Sequence, residues 1–198
     1  LFPYTTLFRS SLMAHTIIVA GLGRCGSSML MQLLHSGGVP CVGEWPSFED
    51  SRVRERVAPS FVAGCAGRAL KVLDPQRVGL PGDVRVIWLD RDHRQQAKSH
   101  AKFLAAMTGH QYDRAGRRAL VGSLVRDTHA AMATIGSRPL VRLRFEEVLQ
   151  NPLTTAFSLS QFIGVDMDID AAARAVKARS PECAPGLDME LSLMGAAA

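Results

Sequence analysis

Seven residues between positions 21 and 28 could do chemistry together. Gly21, Gly23 and Gly26 punctuate a turn that also holds Arg24 and Cys25, and Ser27 and Ser28 follow where an apolar run begins. Glycines allow successive backbone N–H groups to converge, and a helix starting at Ser27 brings the positive end of its dipole to the same point. The Arg24 guanidinium and two hydroxyls reinforce that polarity. Such a turn is an anion site, and a phosphate-bearing ligand is its expected occupant.

Several phosphate chemistries compete for this loop. Gly21, Gly23 and Gly26 satisfy the G-x-G-x-x-G dinucleotide fingerprint, and Glu44, twenty residues beyond Arg24, stands where a ribose-binding acid belongs. A Rossmann-type NAD-binding module or dehydrogenase is therefore the rival reading. The Walker pattern fits worse, because Ser27 stands where a lysine should follow Gly26. A cysteine-phosphatase loop would need an arginine where Met31 stands. Cys25 at a helix start could carry a lowered pKa, but a small side chain filling the turn is the simpler role.

The elements that must position this loop alternate along the chain. Residues 16–20, TIIVA, are a β-branched apolar run that predicts a buried strand, and residues 29–35 a helix stopped by Gly37 and Gly38. Residues 39–43 predict a short second strand, irregular because of Pro40 and ending at Glu44. A charged helix over 50–57 and strands over 69–73 and 84–89 come next. Asp92 is placed to cap a helix running to about Met107. A further helix spans 117–135, a strand 139–145, a helix from Asn151 to Gly164, and a last helix 170–178. Alternation of this kind predicts an α/β single domain, a mainly parallel sheet flanked by helices, with the strand–phosphate loop–helix unit at its N-terminus.

Composition excludes several classes. The 198 residues are 47% hydrophobic and 21% charged, as in an ordinary globular domain. No apolar run reaches the roughly 18–20 residues of a membrane span. A net charge of +5 suits an anionic ligand without calling for nucleic acid. Four dispersed cysteines, none in a C-x-x-C pair, argue against a zinc site or disulfide framework and for a reducing, cytoplasmic setting. Residues 1–12 read as a non-native, adapter-derived segment ahead of Met13, residues 13–180 as the domain, and 181–198 as a weakly ordered tail.

Two distant segments discriminate among the rivals. Arg24-Cys25-Gly26-Ser27 resembles the 5′-phosphosulfate loop of sulfotransferases, an Arg or Lys followed by Ser-Gly-Thr, with Cys for Ser and Ser for Thr. Strand residues 86–90 lead to Arg91, with Ser99 eight residues later, similar to the family's 3′-phosphate signature; His93 replaces its usual proline. Residues 144–149, RFEEVL, followed by Asn151-Pro152 and Phe162-Ile163-Gly164, are similar to its late strand and helix end. The likeness spans residues 16–164 and is strongest to small bacterial sulfotransferases. A dehydrogenase gives no reason for the last two segments.

The resemblance implies a donor, 3′-phosphoadenosine-5′-phosphosulfate (PAPS), and transfer of its sulfuryl group to a hydroxyl or amine of a small-molecule or glycan acceptor. Arg24 would stand where charge develops. Cys25, Gly26, Ser27 and Ser28 would hold the 5′-phosphate, and Arg91 and Ser99 the 3′-phosphate. Arg24 and Glu44 are the catalytic candidates, Glu44 as general base, with Glu49 and Asp50 in reserve; His35 and His100 read as structural or surface residues, His100 pointing to another side of its helix. The resemblance requires no metal, and no acidic cluster suggests one. Lys71 could point to the site or to solvent. The chain is short for the family, so the acceptor pocket is expected to be shallow or completed by a partner subunit in a homo-oligomer.

Overall fold

A computed structural model describes residues 15–177. The adapter-like segment, the expected tail and the last residue of the expected 170–178 helix lie outside the described residues.

The first strand, β1 (Thr16–Gly21), is buried along its whole length. Its alternating side chains feed two separate cores: Ile17 and Val19 face one way, Ile18 and Ala20 the other. This is why TIIVAG is continuously apolar. β2 (Ala69–Leu73) and β3 (Val84–Asp90) pair with it on either side, and β4 (Leu140–Arg144) pairs with β3. All pairings are parallel, in the order β2-β1-β3-β4. Burial thins out at β4, an edge strand whose Arg142 pairs with Asp90 of β3 at 2.8 Å.

Helices cover both faces. α1 (Ser27–Ser36) buries Leu30, Leu33 and Leu34 in the core that also receives Phe145, Leu159 and Ala172. These last three come from α6 (Phe145–Gln150), α7 (Pro152–Ile163) and α8 (Ile169–Ala175). On the other face α4 (His93–Thr108) and α5 (Arg114–Ile135) bring Ala97, Leu124, Ala131 and Ile135 onto Val86 and Trp88. The short α2 (Pro59–Ala63) and α3 (Pro75–Val78), named here in chain order, close that side. Asp92 caps α4 as expected, accepting from the N–H groups of Arg94 and Gln95 at 3.0 and 2.9 Å; such a cap contributes about 1 kcal/mol.

Two expected elements are absent. Residues 39–43 form no strand, only a single parallel bridge between Cys41 and Ala69. Pro40 lacks the N–H a ladder needs, and Gly43 turns out of the β region at φ 84°. The charged segment 50–57 makes only one 3₁₀ turn, Ser51–Val53, because Val53 and Val57 are its only buried anchors and Pro59 follows at once. Phe145, expected at the end of the last strand, instead opens α6.

Strand order reverses between β1 and β3, since β2 lies on one side of β1 while β3 and β4 lie on the other. In open parallel sheets the crevice at the carboxyl ends of the strands at such a switch point is where ligands bind. The loops leaving β1 and β3, residues 22–26 and 91–92, flank that crevice.

Candidate active site

Residues 22–26 leave the buried end of β1 and enter α1 with left-handed backbone at Arg24 (φ 68°) and Gly26 (φ 106°). Left-handed residues at such spacing turn successive N–H groups toward one point. Gly26 is the N-cap of α1 and no side chain caps that helix end, so Ser27 and Ser28 lie within the first turn. A Cβ on Gly26 would run into the ring of Phe145, whereas one on Gly23 would meet no protein atom within 4 Å. One glycine is thus demanded by packing, and the other opens the loop to whatever binds there.

Three side chains from beyond β3 hold the loop in shape. Arg91 donates from Nη1 to the Arg24 carbonyl at 3.0 Å. Gln96 Nε2 donates to the carbonyls of Gly23 and Leu22 at 2.8 and 3.3 Å. Ser99 Oγ accepts from Arg24 Nε at 3.2 Å. Left-handed backbone costs a non-glycine residue roughly 1–2 kcal/mol, and these contacts offset that cost at Arg24. Arg91 is buried, its guanidinium 4.5 Å from the Phe145 ring centroid, and Arg24 lies 5.4 Å from the centroid of Phe103. Both contacts are within cation–π range.

A second cation enters from β2. Lys71, only 3% exposed, donates at 3.0 Å each to Ser28 Oγ, the Ser47 carbonyl and Glu49 Oε1. Its ammonium therefore sits against the first turn of α1 with one carboxylate to balance it. The strand is buried on both faces, so alternation alone left the direction of Lys71 open.

These groups surround a cavity of about 590 Å³. Of the expected site residues, Arg24, Gly26, Ser27, Ser28 and Arg91 line it. Ser99 and Cys25 lie buried beneath its wall. Burial pushes the Cys25 thiol above its ordinary value, outweighing the Ser27 N–H and Lys71 that favour the thiolate, so Cys25 is a neutral filler packed against Gly21. Glu44 is exposed in the loop where a strand was expected, and it is not among the lining residues. Without a strand to end, it also loses the position of a ribose-binding acid in the dinucleotide reading.

His100 corrects a second expectation. It lines the cavity rather than facing another side of the helix. Its Nδ1 is buried and has no hydrogen-bond partner. Burial lowers its pKa from the ordinary 6.5; Arg24 and Arg77 act in the same sense, and Asp74 opposes them. The imidazole is therefore neutral near pH 7 and able to accept a proton. The signal that could have found it is its spacing from Phe103, three residues on along the same helix and also on the cavity wall. Among the described residues, no group of three His, Cys, Asp or Glu side chains gathers to hold a metal ion, and no helix is long and apolar enough to cross a membrane.

The single α/β domain, with its all-parallel sheet and its glycine loop at the switch point, has the sulfotransferase fold. No protein-family model matches the sequence, and no curated protein matches it. Solved structures match its fold. Mouse sulfotransferase SULT7A1 complexed with PAP superimposes with a TM-score of 0.58 at 14% identity, covering 83% of this chain and 65% of that one. Retinol dehydratase in complex with androsterone and the inactive cofactor PAP gives 0.50 at 13% identity, covering 81% of this chain and 63% of that one. The same enzyme with retinol and PAP gives 0.50 at 14%, covering 82% and 64%. The chain thus spans a little under two thirds of the length of these structures.

Proposed function

We propose that the protein is a PAPS-dependent sulfotransferase acting on a hydroxyl or amine acceptor. The observation that carries this reading is the convergence of Arg91 and Ser99, from the far side of β3, on Arg24 of the glycine loop. The solved neighbours with PAP bound, the product that a PAPS donor leaves, support it.

The residues fit such a donor. An open cradle at Gly23, an uncapped helix N-terminus and the cations Arg24, Lys71 and Arg91 together favour a polyanion. Backbone N–H groups of Cys25 to Ser28 and the Ser27 and Ser28 hydroxyls would hold its 5′-phosphate, and Arg91 with Ser99 its 3′-phosphate. When bound, the donor supplies a sulfuryl group whose bond to the 5′-phosphate oxygen breaks, with the electron pair, as a bond to the acceptor forms.

The chain's own work is then positional and electrostatic. Arg24 and Lys71 stabilise the negative charge that grows at the 5′-phosphate end. His100 takes the acceptor's proton; its support is a place on the cavity wall, an imidazole without a hydrogen bond at Nδ1, and neutrality near pH 7. Glu44 has no comparable support, and Glu49 is held by Lys71. The test is direct: supply PAPS and an acceptor, and follow release of adenosine 3′,5′-bisphosphate in wild type and in Arg24→Ala. Transfer in the first and its loss in the second is the expected result.

The NAD reading has no specific observation in its favour once Glu44 is removed from a strand end.

A further inference from the structure

Beside the main cavity lies a smaller one of about 230 Å³, and the two share Glu49, Lys71 and Leu73. Its outer walls carry four more charged groups that the donor has no use for: Asp50, Arg54, Asp74 and Arg77. Its acids are already compensated. Glu49 Oε1 accepts from Lys71 at 3.0 Å. Asp50 is held by Arg52 through Nε at 2.9 Å and Nη2 at 2.6 Å. Burial raises the pKa of Asp74, partly offset by Arg77 nearby.

The arginines of the same cavity are less fully compensated: Arg77 faces only Asp74, whose carboxyl is pushed toward its neutral form by burial. Among the described residues neither Arg54 nor Arg77 makes an ion pair or a side-chain hydrogen bond, although both line the cavity. The balance of uncommitted charge there is positive. The cavity is too small for a polymer or a folded partner to enter, and through Glu49, Lys71 and Leu73 it shares a wall with the main cavity, which His100 also lines.

We infer that this second cavity is the acceptor subsite, and that it selects a small hydroxyl compound bearing an anionic group, a carboxylate or phosphate ester, gripped by Arg54 and Arg77. The inference rests on the sulfotransferase reading and adds to it the class of acceptor. An anionic tail between two guanidinium groups accepts charge-assisted, fork-shaped hydrogen bonds. Val53 and Val78 provide apolar contact for the body of the molecule. Its hydroxyl then points inward past Leu73 toward His100 and the sulfuryl end of the donor. Arg54 and Arg77 are exposed residues, so the anion enters from solvent without displacing a core residue.

Two matched pairs of probes test this: 4-nitrophenyl glucuronide against 4-nitrophenyl glucoside, and 4-hydroxyphenylacetate against its amide. Each is titrated calorimetrically into the full chain saturated with adenosine 3′,5′-bisphosphate, and each is then offered as acceptor with PAPS. In at least one pair the carboxylate should bind about tenfold tighter than its neutral partner, which corresponds to one additional charge-assisted contact. In Arg54→Gln/Arg77→Gln that preference should shrink to about twofold or less, while affinity for the bisphosphate is retained. Equal binding of charged and neutral partners in both pairs, no binding of any probe, or a preference that survives the double substitution overturns the acceptor assignment and leaves donor binding standing. Failure of wild type to bind the bisphosphate at all overturns the donor reading, and the acceptor subsite with it.

Discussion

Arg91 donates from Nη1 to the backbone carbonyl of Arg24 at 3.0 Å, joining residues 67 apart in sequence across the switch point of the sheet. One arginine thereby shapes the loop that another arginine occupies. The contact makes the two halves of the proposed donor site mechanically dependent: loosening Arg91 relaxes the left-handed backbone at Arg24, and with it the turn whose N–H groups converge.

Replacing Arg91 therefore acts twice. Arg91→Ala should weaken adenosine 3′,5′-bisphosphate binding by more than about tenfold, the loss of a charge-assisted contact. It should also cost about 2 kcal/mol of stability, since a buried hydrogen bond from a charged group is removed. Calorimetric titration and urea unfolding read the two effects separately. Arg91→Lys keeps the charge but not the fork, and should recover stability more than affinity.

The two loop glycines should respond in opposite ways. Gly26→Ala places a Cβ against the Phe145 ring at a residue with φ 106°. Overpacking and left-handed strain together should cost about 2–4 kcal/mol, read as a lower urea midpoint. Gly23→Ala meets no protein atom and should fold with little loss, yet its methyl enters the cradle and should reduce bisphosphate affinity by about tenfold or more.

His100 sets a pH dependence whose sign follows from its environment. Burial and the guanidinium groups of Arg24 and Arg77 lower its pKa below 6.5, with Asp74 opposing. The unfolded chain then binds the extra proton more readily than the folded one, so this contribution is complete above pH 6.5 and is lost as the pH falls from there through the folded-state value. Urea midpoints measured downward from pH 7 should show the loss, and His100→Gln should flatten it. In turnover, the acid limb of the rate profile should lie below pH 6.5 and vanish in His100→Gln, with a rate lowered by about 10²-fold, as expected on removing a general base. Glu44→Gln should leave both the rate and its pH profile within about twofold of wild type; a collapse of turnover there would return the base to Glu44.

What could be read from the sequence was local. The glycines and Arg24 sit within one turn of chain, and Arg91 and Ser99 bracket the first turns of one helix, so their spacing carries their geometry. The buried β1 was equally legible, because a strand covered on both faces must be continuously apolar. Lys71 was not, for the same reason: in a doubly buried strand neither face is marked by polarity. Residues 39–43 have the composition of a strand, but the missing N–H of Pro40 and the left-handed Gly43 leave only the Cys41–Ala69 bridge. Glu44 loses its expected placement with that strand, since it was to stand at the strand's end. His100 is easily misplaced when measured against Ser99, about 100° away on the helix; measured against Phe103, three residues on, it shares the face that lines the cavity.

The most direct test of the proposed donor site is a pair of calorimetric titrations on the full chain, one with adenosine 3′,5′-bisphosphate and one with NAD. The bisphosphate should bind tightly, with affinity falling in Arg91→Ala, and NAD should give no comparable heat. Tight NAD binding without any response to the bisphosphate would contradict the account.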